Sequence, residues 1–286
     1  MTSSSRALMC VHAHPDDESS KGPGTVARYH DLGVYTVLVC ATGGEEGDIL
    51  NPEMDTPYVR DHLGEVRMQE LEAATKIIGY DDVVLLGYRD SGMAGSQANS
   101  NPDCFAMAPE QEAVGKLVKE IRRVRPQVII TYDEDQSGYP HPDHLQVHRI
   151  SILAYEASGD PEYYPELGDP FQPSKLYYSV WSKARIVAMH EKFLELGLES
   201  PFDARWFERP SRDDLITTRI DVSEYYEIRT GALKAHRTQI DANSKFWFGL
   251  PQEVSEKIHP FDDYVLARSQ VGLPEGLEDD LFARVD

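Results

Sequence analysis

Two short stretches hold the residues best suited to chemistry. "HAHPDDES" (12–19) sets His14, Asp16, Asp17 and Glu18 directly behind an apolar run, and "YPHPDH" (139–144) sets Tyr139, His141, Asp143 and His144 behind another. Neighbouring carboxylates repel one another and are costly to desolvate, so a cation is expected among them. Two histidines and one aspartate suit a mononuclear zinc site that keeps one coordination position for water. Either stretch alone is weak evidence, because His-Pro-Asp also makes a good turn and helix start. Two of them at equivalent strand ends make a strong signal.

The elements around them explain how they meet. "ALMCVHA" (7–13), "YTVLVCAT" (35–42), "DVVLLG" (82–87) and "QVIITYD" (127–133) are β-branched, nearly continuous apolar runs. Strands covered on both faces read this way. Helical patterns lie between them at 24–33, 60–79 and 109–126; in the second, Leu63, Val66, Leu71, Ala74 and Ile78 recur at helical spacing. Such alternation predicts right-handed crossovers and a Rossmann-like α/β fold with a mostly parallel sheet, which binds ligands at the carboxyl ends of its strands. Both motifs fall at such ends. Beyond about residue 175 the pattern changes, with strands predicted at 175–181 and 214–222 and helices at 185–197 and 224–240. We expect a catalytic core over 1–180 and a smaller α+β cap over 181–286, with 158–174 and 199–213 as surface connections.

Composition narrows the function further. The formal net charge of −21 argues against nucleic acid or an anionic membrane surface as partner, since both call for clustered Lys and Arg. The longest apolar runs are too short to span a bilayer, and "MTSSSRALMC" lacks the apolar stretch of a signal peptide, so a cytoplasmic location is expected. Cys10, Cys40 and Cys104 are odd in number and widely spaced; they read as reduced core residues rather than a disulfide or zinc framework. No Gly-x-Gly-x-x-Gly follows the first strand, and carboxylates there would repel a pyrophosphate, which disfavours a dinucleotide site. A homo-oligomer stays open.

"AHPDDE" with "HPDH" far downstream resembles the PIG-L/LmbE-like zinc deacetylases, which act on N-acylated glucosaminyl substrates. Within that family, "HAHPDDESSKG", "TGGEEGDILNPEMD", "YPHPDH" and "LKAHRTQID" are similar to the mycothiol S-conjugate amidases. "YRDSGMAGS" (88–96) is closer to the sibling deacetylases that release acetate from acetylglucosaminyl-inositol. The resemblance implies a zinc-dependent amidase acting on a small thiol-sugar conjugate, in detoxification or in a biosynthetic (antibiotic) pathway. The sibling deacetylase, or a non-catalytic sugar-binding relic, is the alternative.

By the same resemblance His14, Asp17 and His144 are zinc ligands and Asp16 is the general base. The adjacent pair makes chemical sense, since one aspartate ligates while its neighbour stays free to take a proton. Zinc lowers the pKa of its water from ~15.7 to ~7. Tyr139 would steady the oxyanion, and His141, as an imidazolium held by Asp143, would steady it too or protonate the departing amine. Ser20, Lys21, Glu46, Arg67 and Asp90 would hold sugar and inositol hydroxyls, although a surface ion pair suits Glu46 and Arg67 equally well. Glu18 would orient His14 or sit at a helix N-terminus. His12 reads as a hydrogen-bonded core residue and His148 as packing or support. His236 would line the acyl side of the pocket or lie on a helix surface. The aromatic "SKFWFGLP" (244–251) would bury a bulky S-substituent.

Overall fold

A computed structural model describes residues 6–135 and 139–285. Among them seven strands form one sheet: β1 (Ala7–His12), β2 (Tyr35–Thr42), β3 (Asp82–Tyr88), β4 (Val128–Thr131), β5 (Lys175–Val180), β6 (Thr218–Asp221) and β7 (Phe261–Ser269). Their order is β3-β2-β1-β4-β5-β7-β6. The first five are parallel, and β7 runs antiparallel to both β5 and β6. The fold is thus α/β with a Rossmann-like, mostly parallel sheet.

Alternate residues of the buried strands serve opposite cores. Met9, Val11, Val37 and Val39 pack with Leu117, Ile121, Val147 and Ile150 from helices α5 (Glu110–Val124) and α6 (Pro142–Ser158). Leu8, Cys10, Leu38 and Cys40 face the other way, onto α2 (Pro23–Asp31), α4 (Leu63–Ile78) and α9 (Tyr226–Ala235). This two-sided burial is why these strands carry apolar residues at every position rather than every second one. Cys10, Cys40 and Cys104 are free and buried. No helix among the described residues is long and apolar enough to cross a membrane.

The remaining helices are α1 (Asp17–Ser20), α3 (Pro57–Asp61), α7 (Lys183–Glu195), α8 (Ala204–Glu208), α10 (Lys245–Phe248) and α11 (Gln252–Ile258). In the C-terminal region β6 and β7 extend the main sheet, while Ile186, Phe193, Phe202 and Leu250 form a separate small core with Trp181, Trp206 and Phe246 around it. Strand β7 escapes the sequence reading because Asp262 and Asp263 interrupt its apolar pattern. Both acids are buried with partners: Thr25 donates to Asp262 from N (3.2 Å) and Oγ1 (3.0 Å), and Arg219 (2.6 Å) and His259 (2.8 Å) pair with Asp263.

The crossover order fixes where the site must lie. From β1 the chain winds outward one way through β2 and β3, and the other way through β4 and β5. The switch point is between β1 and β4, where connections diverge and leave a crevice. The two His-Pro-Asp stretches are the segments that leave these two strands.

Candidate metal centre

Strand β1 runs into a tight turn before α1. Asp16 takes φ 118°, a left-handed conformation rare outside glycine, so that Asp16 and the adjacent Asp17 aim differently. The turn is held on several sides. The Asp16 N–H donates to Glu18 Oε2 (2.9 Å), and Arg67 Nη2 donates to Asp16 Oδ2 (2.8 Å) and to the Pro15 carbonyl. Arg67 itself crosses the second loop at Gly44, whose carbonyl accepts from Nη1 (2.8 Å). Gly44 has φ +69°, and a Cβ there would lie 2.2 Å from the guanidinium, so only glycine allows the crossing. On the opposite loop His141 caps α6, its Nδ1 accepting the Asp143 N–H at 3.2 Å with Pro142 in the first turn. That places Asp143 and His144 on the first turn of α6, buried and facing β1.

His14, Asp17 and His144 meet at the crevice, each offering one ligand atom within 4.8 Å of the others. His14 Nδ1 lies 3.6 Å and His144 Nε2 lies 3.4 Å from Asp17 Oδ2. Zinc bonds of ~2.0–2.2 Å put neighbouring tetrahedral ligand atoms ~3.3–3.6 Å apart, so this spacing fits. The other face of the same ring meets a second group. His14 Nε2 is 3.2 Å from Asp143 Oδ2 and 3.5 Å from Asp90 Oδ1, and His141 joins them. Asp143 is clamped by Ser91, which donates its N–H (2.9 Å) and its hydroxyl. With a carboxylate at Nε2, the ring carries its proton there and turns the Nδ1 lone pair toward Asp17 and His144, as a metal ligand requires.

Charge in the site is lopsided. Asp16, Asp17, Asp90 and Asp143 gather there, against Lys21, which donates to Asp17 Oδ1 at 2.5 Å, and Arg67 on Asp16. Burial by itself pushes the Asp17 carboxyl up, but Lys21, His144 and His14 together hold it well below the usual range. Burial likewise works against a charged His14, yet Asp143, Asp17 and Asp90 raise it well above an ordinary histidine. The Asp16 carboxyl is raised, chiefly by burial, with Arg67 opposing. An array of this kind is stabilised by a divalent cation.

Several sequence expectations change in the folded chain. Glu18 does not touch His14; it is buried under α9, where His236 Nε2 meets Oε1 at 2.6 Å. His236 is fully buried at the end of that helix, on neither the pocket wall nor the helix surface. Arg67 is buried against Asp16 rather than in a surface pair, whereas Glu46 does pair with Arg89 at the rim. His141 is not an imidazolium held by the Asp143 carboxylate, which is taken by Ser91 and His14. Its Nδ1 accepts a backbone N–H, and burial, with the charge of His14 adding to it, pushes its pKa down to about 4. His12 is buried beside Tyr132, but neither ring nitrogen has a hydrogen-bond partner among the described residues. His148 supports the site from below, its Nδ1 3.0 Å from the Tyr132 carbonyl. Ser20 donates to the Asp17 carbonyl (3.2 Å), Asp90 is buried facing His14, and Tyr139 stands half-exposed with its ring 5.7 Å from that of His144.

Two participants have no signal in the sequence. Tyr132 closes β4, donates to Asp17 Oδ2 at 2.6 Å, accepts the Ala13 N–H at 2.8 Å and stacks on His144. It reads as one more aromatic of a buried strand. Ser91 sits in a glycine-rich loop like any turn serine, and only the fold brings it to Asp143.

A Rossmann-like sheet with a His/Asp centre at its switch point, a loose carboxylate beside it and no phosphate-binding glycine loop defines a class of metal-centred hydrolase folds. The chain belongs to the PIG-L (GlcNAc-PI de-N-acetylase) family, whose model matches residues 9–155. It is 44% identical to the mycothiol S-conjugate amidase of Streptomyces coelicolor, over 97% of each chain. It is 40% identical to the 1D-myo-inositol 2-acetamido-2-deoxy-alpha-D-glucopyranoside deacetylase of Geodermatophilus obscurus, over 98% of each. In fold it resembles the N,N'-diacetylchitobiose deacetylase of Pyrococcus horikoshii (TM-score 0.62, 18% identity, 91% of this chain and 83% of that one). The 4-carboxy-2-hydroxymuconate hydratase of Pseudomonas putida is nearly as similar in fold (TM-score 0.60, 14% identity, 94% and 99%). The shape therefore does not select the reaction; the side chains do.

Proposed function

We propose that this protein is a zinc-dependent amidase that hydrolyses the amide of mycothiol S-conjugates, or of a closely related thiol-sugar conjugate, giving a mercapturic acid and glucosaminyl-inositol. The observation that carries the reaction is the two-sided use of His14, with Nε2 held by Asp143 and Nδ1 turned toward Asp17 and His144. His14, Asp17 and His144 would hold the ion, which when bound supplies Lewis acidity and a water of lowered pKa.

The chain's own groups do the rest. Asp16 keeps Oδ2 on Arg67, and Oδ1 has no hydrogen bond among the described residues, so Oδ1 accepts the proton of the attacking water. Arg67 and the left-handed turn fix that oxygen beside the ligand set. His141, neutral with its proton on Nε2, donates to the oxygen of the tetrahedral carbon, and the Tyr139 phenol reaches it from the rim. The proton held by Asp16 then passes to the departing amine. Ser20 and Lys21 at the end of α1, with Glu46 and Asp90 on the other side, hold hydroxyls of the sugar half, and Arg67 braces that side from beneath through Asp16 and the Gly44 carbonyl. We place the enzyme in the cytoplasm, where its three free thiols stay reduced.

The choice of acyl group follows the relative that is 44% identical over nearly the full length of both chains. Competition between an S-conjugate and the N-acetyl compound in one reaction tests it. We expect kcat/KM at least ~10-fold higher for the conjugate, about 1.4 kcal/mol of transition-state binding. Preferential release of acetate would make the protein the deacetylase instead.

A further inference from the structure

Of the residues assigned to the sugar half, Glu46 follows β2 and Asp90 follows β3, both on one side of β1, whereas Ser20 and Lys21 lie at the end of α1 in the crevice itself. An amide centred on His14 and Asp17 therefore sends its acyl arm the other way, over the ends of β4 and β5. There the chain forms a cavity of about 130 Å³ walled by Val180, Trp181, Ile186, Trp206 and Pro210. It adjoins the metal loops on two sides. Trp181 Nε1 donates to the Ser20 carbonyl (3.3 Å), next to Lys21, and Asp133 on its rim directly follows Tyr132.

The cavity is lined by as many basic as acidic side chains, three of each, in a chain of net charge −21. Arg212 engages Asp133 (2.6 Å) and Asp135 (3.2 Å). Asp213 is used as a cap on α7, accepting the N–H groups of Lys183 (2.7 Å) and Ala184 (2.8 Å). The Lys183 ammonium donates to the carbonyls of Phe207 (2.6 Å) and Arg209 (2.8 Å) and forms no ion pair among the described residues. Arg209 lies over the Trp206 ring at 4.7 Å and has no hydrogen bond or ion pair from its side chain among the described residues. Arg205, with help from Arg209, holds the Asp203 carboxyl below its ordinary value. The Arg209 donors nonetheless stay unfilled among the described residues, and at a cavity mouth in a chain with 49 acidic and 28 basic residues they are set for an anion brought from outside.

We propose that this cavity is the acyl-arm subsite and that it takes a ring-sized apolar S-substituent bearing an acidic group. The inference rests on the amidase reading above. The volume is close to the ~150 Å³ of a cavity that holds benzene. Two indoles supply flat apolar walls, and Arg209 meets the acid at the open end. The aromatic stretch 244–251 serves behind this wall: Phe246 stacks on Trp181 (5.7 Å, 7°), and with Trp247 it lines a smaller cavity of about 70 Å³.

The test uses the metal-loaded enzyme and three conjugates that differ only at the ring: S-(4-carboxybenzyl), S-benzyl and S-(4-aminomethylbenzyl). We expect kcat/KM to fall in that order, with about fivefold between the first two, as for one partly exposed ion pair. Arg209→Gln should abolish the carboxylate advantage, bringing the ratio of the S-(4-carboxybenzyl) to the S-benzyl rate down to about one. Equal rates for all three, or an advantage that survives Arg209→Gln, overturn the subsite. Calorimetry with N-acetyl-S-(4-carboxybenzyl)cysteine separates this from the amidase reading. If no conjugate is hydrolysed, that reading falls, and saturable binding weakened by Arg209→Gln but not seen for the S-benzyl analogue still upholds the cavity. Absence of binding overturns it.

Discussion

Asp16 and Asp17 are chemically identical neighbours with different surroundings. Asp17 receives Tyr132, Lys21 and the His14 N–H and faces two histidines, whereas among the described residues the Asp16 carboxylate receives only Arg67 and keeps one oxygen open. Their substitutions should therefore fail differently. Asp16→Asn should retain the metal and lose ~10²-fold or more in kcat, because an amide cannot take the water's proton. His144→Ala should instead lose the metal, since two protein ligands hold zinc poorly. Metal content measured beside turnover checks both; full metal occupancy in His144→Ala, or normal turnover in Asp16→Asn, would reverse the assignments.

One buried arginine organises a whole connection between elements. Arg122 on α5 has no carboxylate partner among the described residues. It donates to the carbonyls of Ala157 (3.4 Å), Ser158 (3.1 Å), Asp160 (2.9 Å), Tyr163 (2.7 Å), Tyr164 (2.6 Å) and Gly168 (3.3 Å). It thus closes the C-terminus of α6 and pins the 158–168 stretch, satisfying carbonyls that a helix end leaves bare. Charged hydrogen bonds are worth ~1.5–3 kcal/mol, and these are shared by one group, so Arg122→Ala should cost about 2–4 kcal/mol. Chemical denaturation gives that figure. Amide exchange should rise in 158–168 and stay unchanged at β1, which separates a loosened connection from general unfolding. Arg122→Lys should recover little, because an ammonium cannot fork over so many carbonyls.

At the scale of the molecule, β7 joins the C-terminal strands to the parallel sheet and carries a buried acid as it does so. Burial raises the Asp263 carboxyl, but the hydrogen bonds from His259 and Arg219 outweigh it and hold the pKa below the ordinary value. A carboxyl depressed in the folded state contributes stability above its unfolded pKa of ~3.9 and loses it as pH falls through the folded value. Wild-type stability should therefore drop below about pH 4 more steeply than that of Asp263→Asn, which has nothing to titrate there. Urea midpoints taken from pH 7 down to pH 2.5 show this as two curves that converge; parallel curves would remove Asp263 from the acid response.

By itself the sequence determined the buried strands and the two His-Pro-Asp motifs that meet at the switch point. β1, β2 and β4 are apolar at nearly every position because both faces are covered, and that local pattern survives without any knowledge of neighbours. The motifs at 12–19 and 139–144 follow strands whose carboxyl ends share one sheet edge, so their convergence could be read on paper, while the choice of His14, Asp17 and His144 came from the family resemblance. Tertiary structure decided the supporting contacts. His236 lies 218 residues from Glu18, and Ser91 lies 52 from Asp143, and no periodicity links such pairs. Arg67 reads equally as a sugar-binding residue or half of a surface ion pair until the Gly44 loop covers it. Strand β7 was hidden by two aspartates whose cost only Thr25, Arg219 and His259 remove. Apolar burial is written into local spacing, whereas a polar side chain's partner depends on where distant loops finally come to rest.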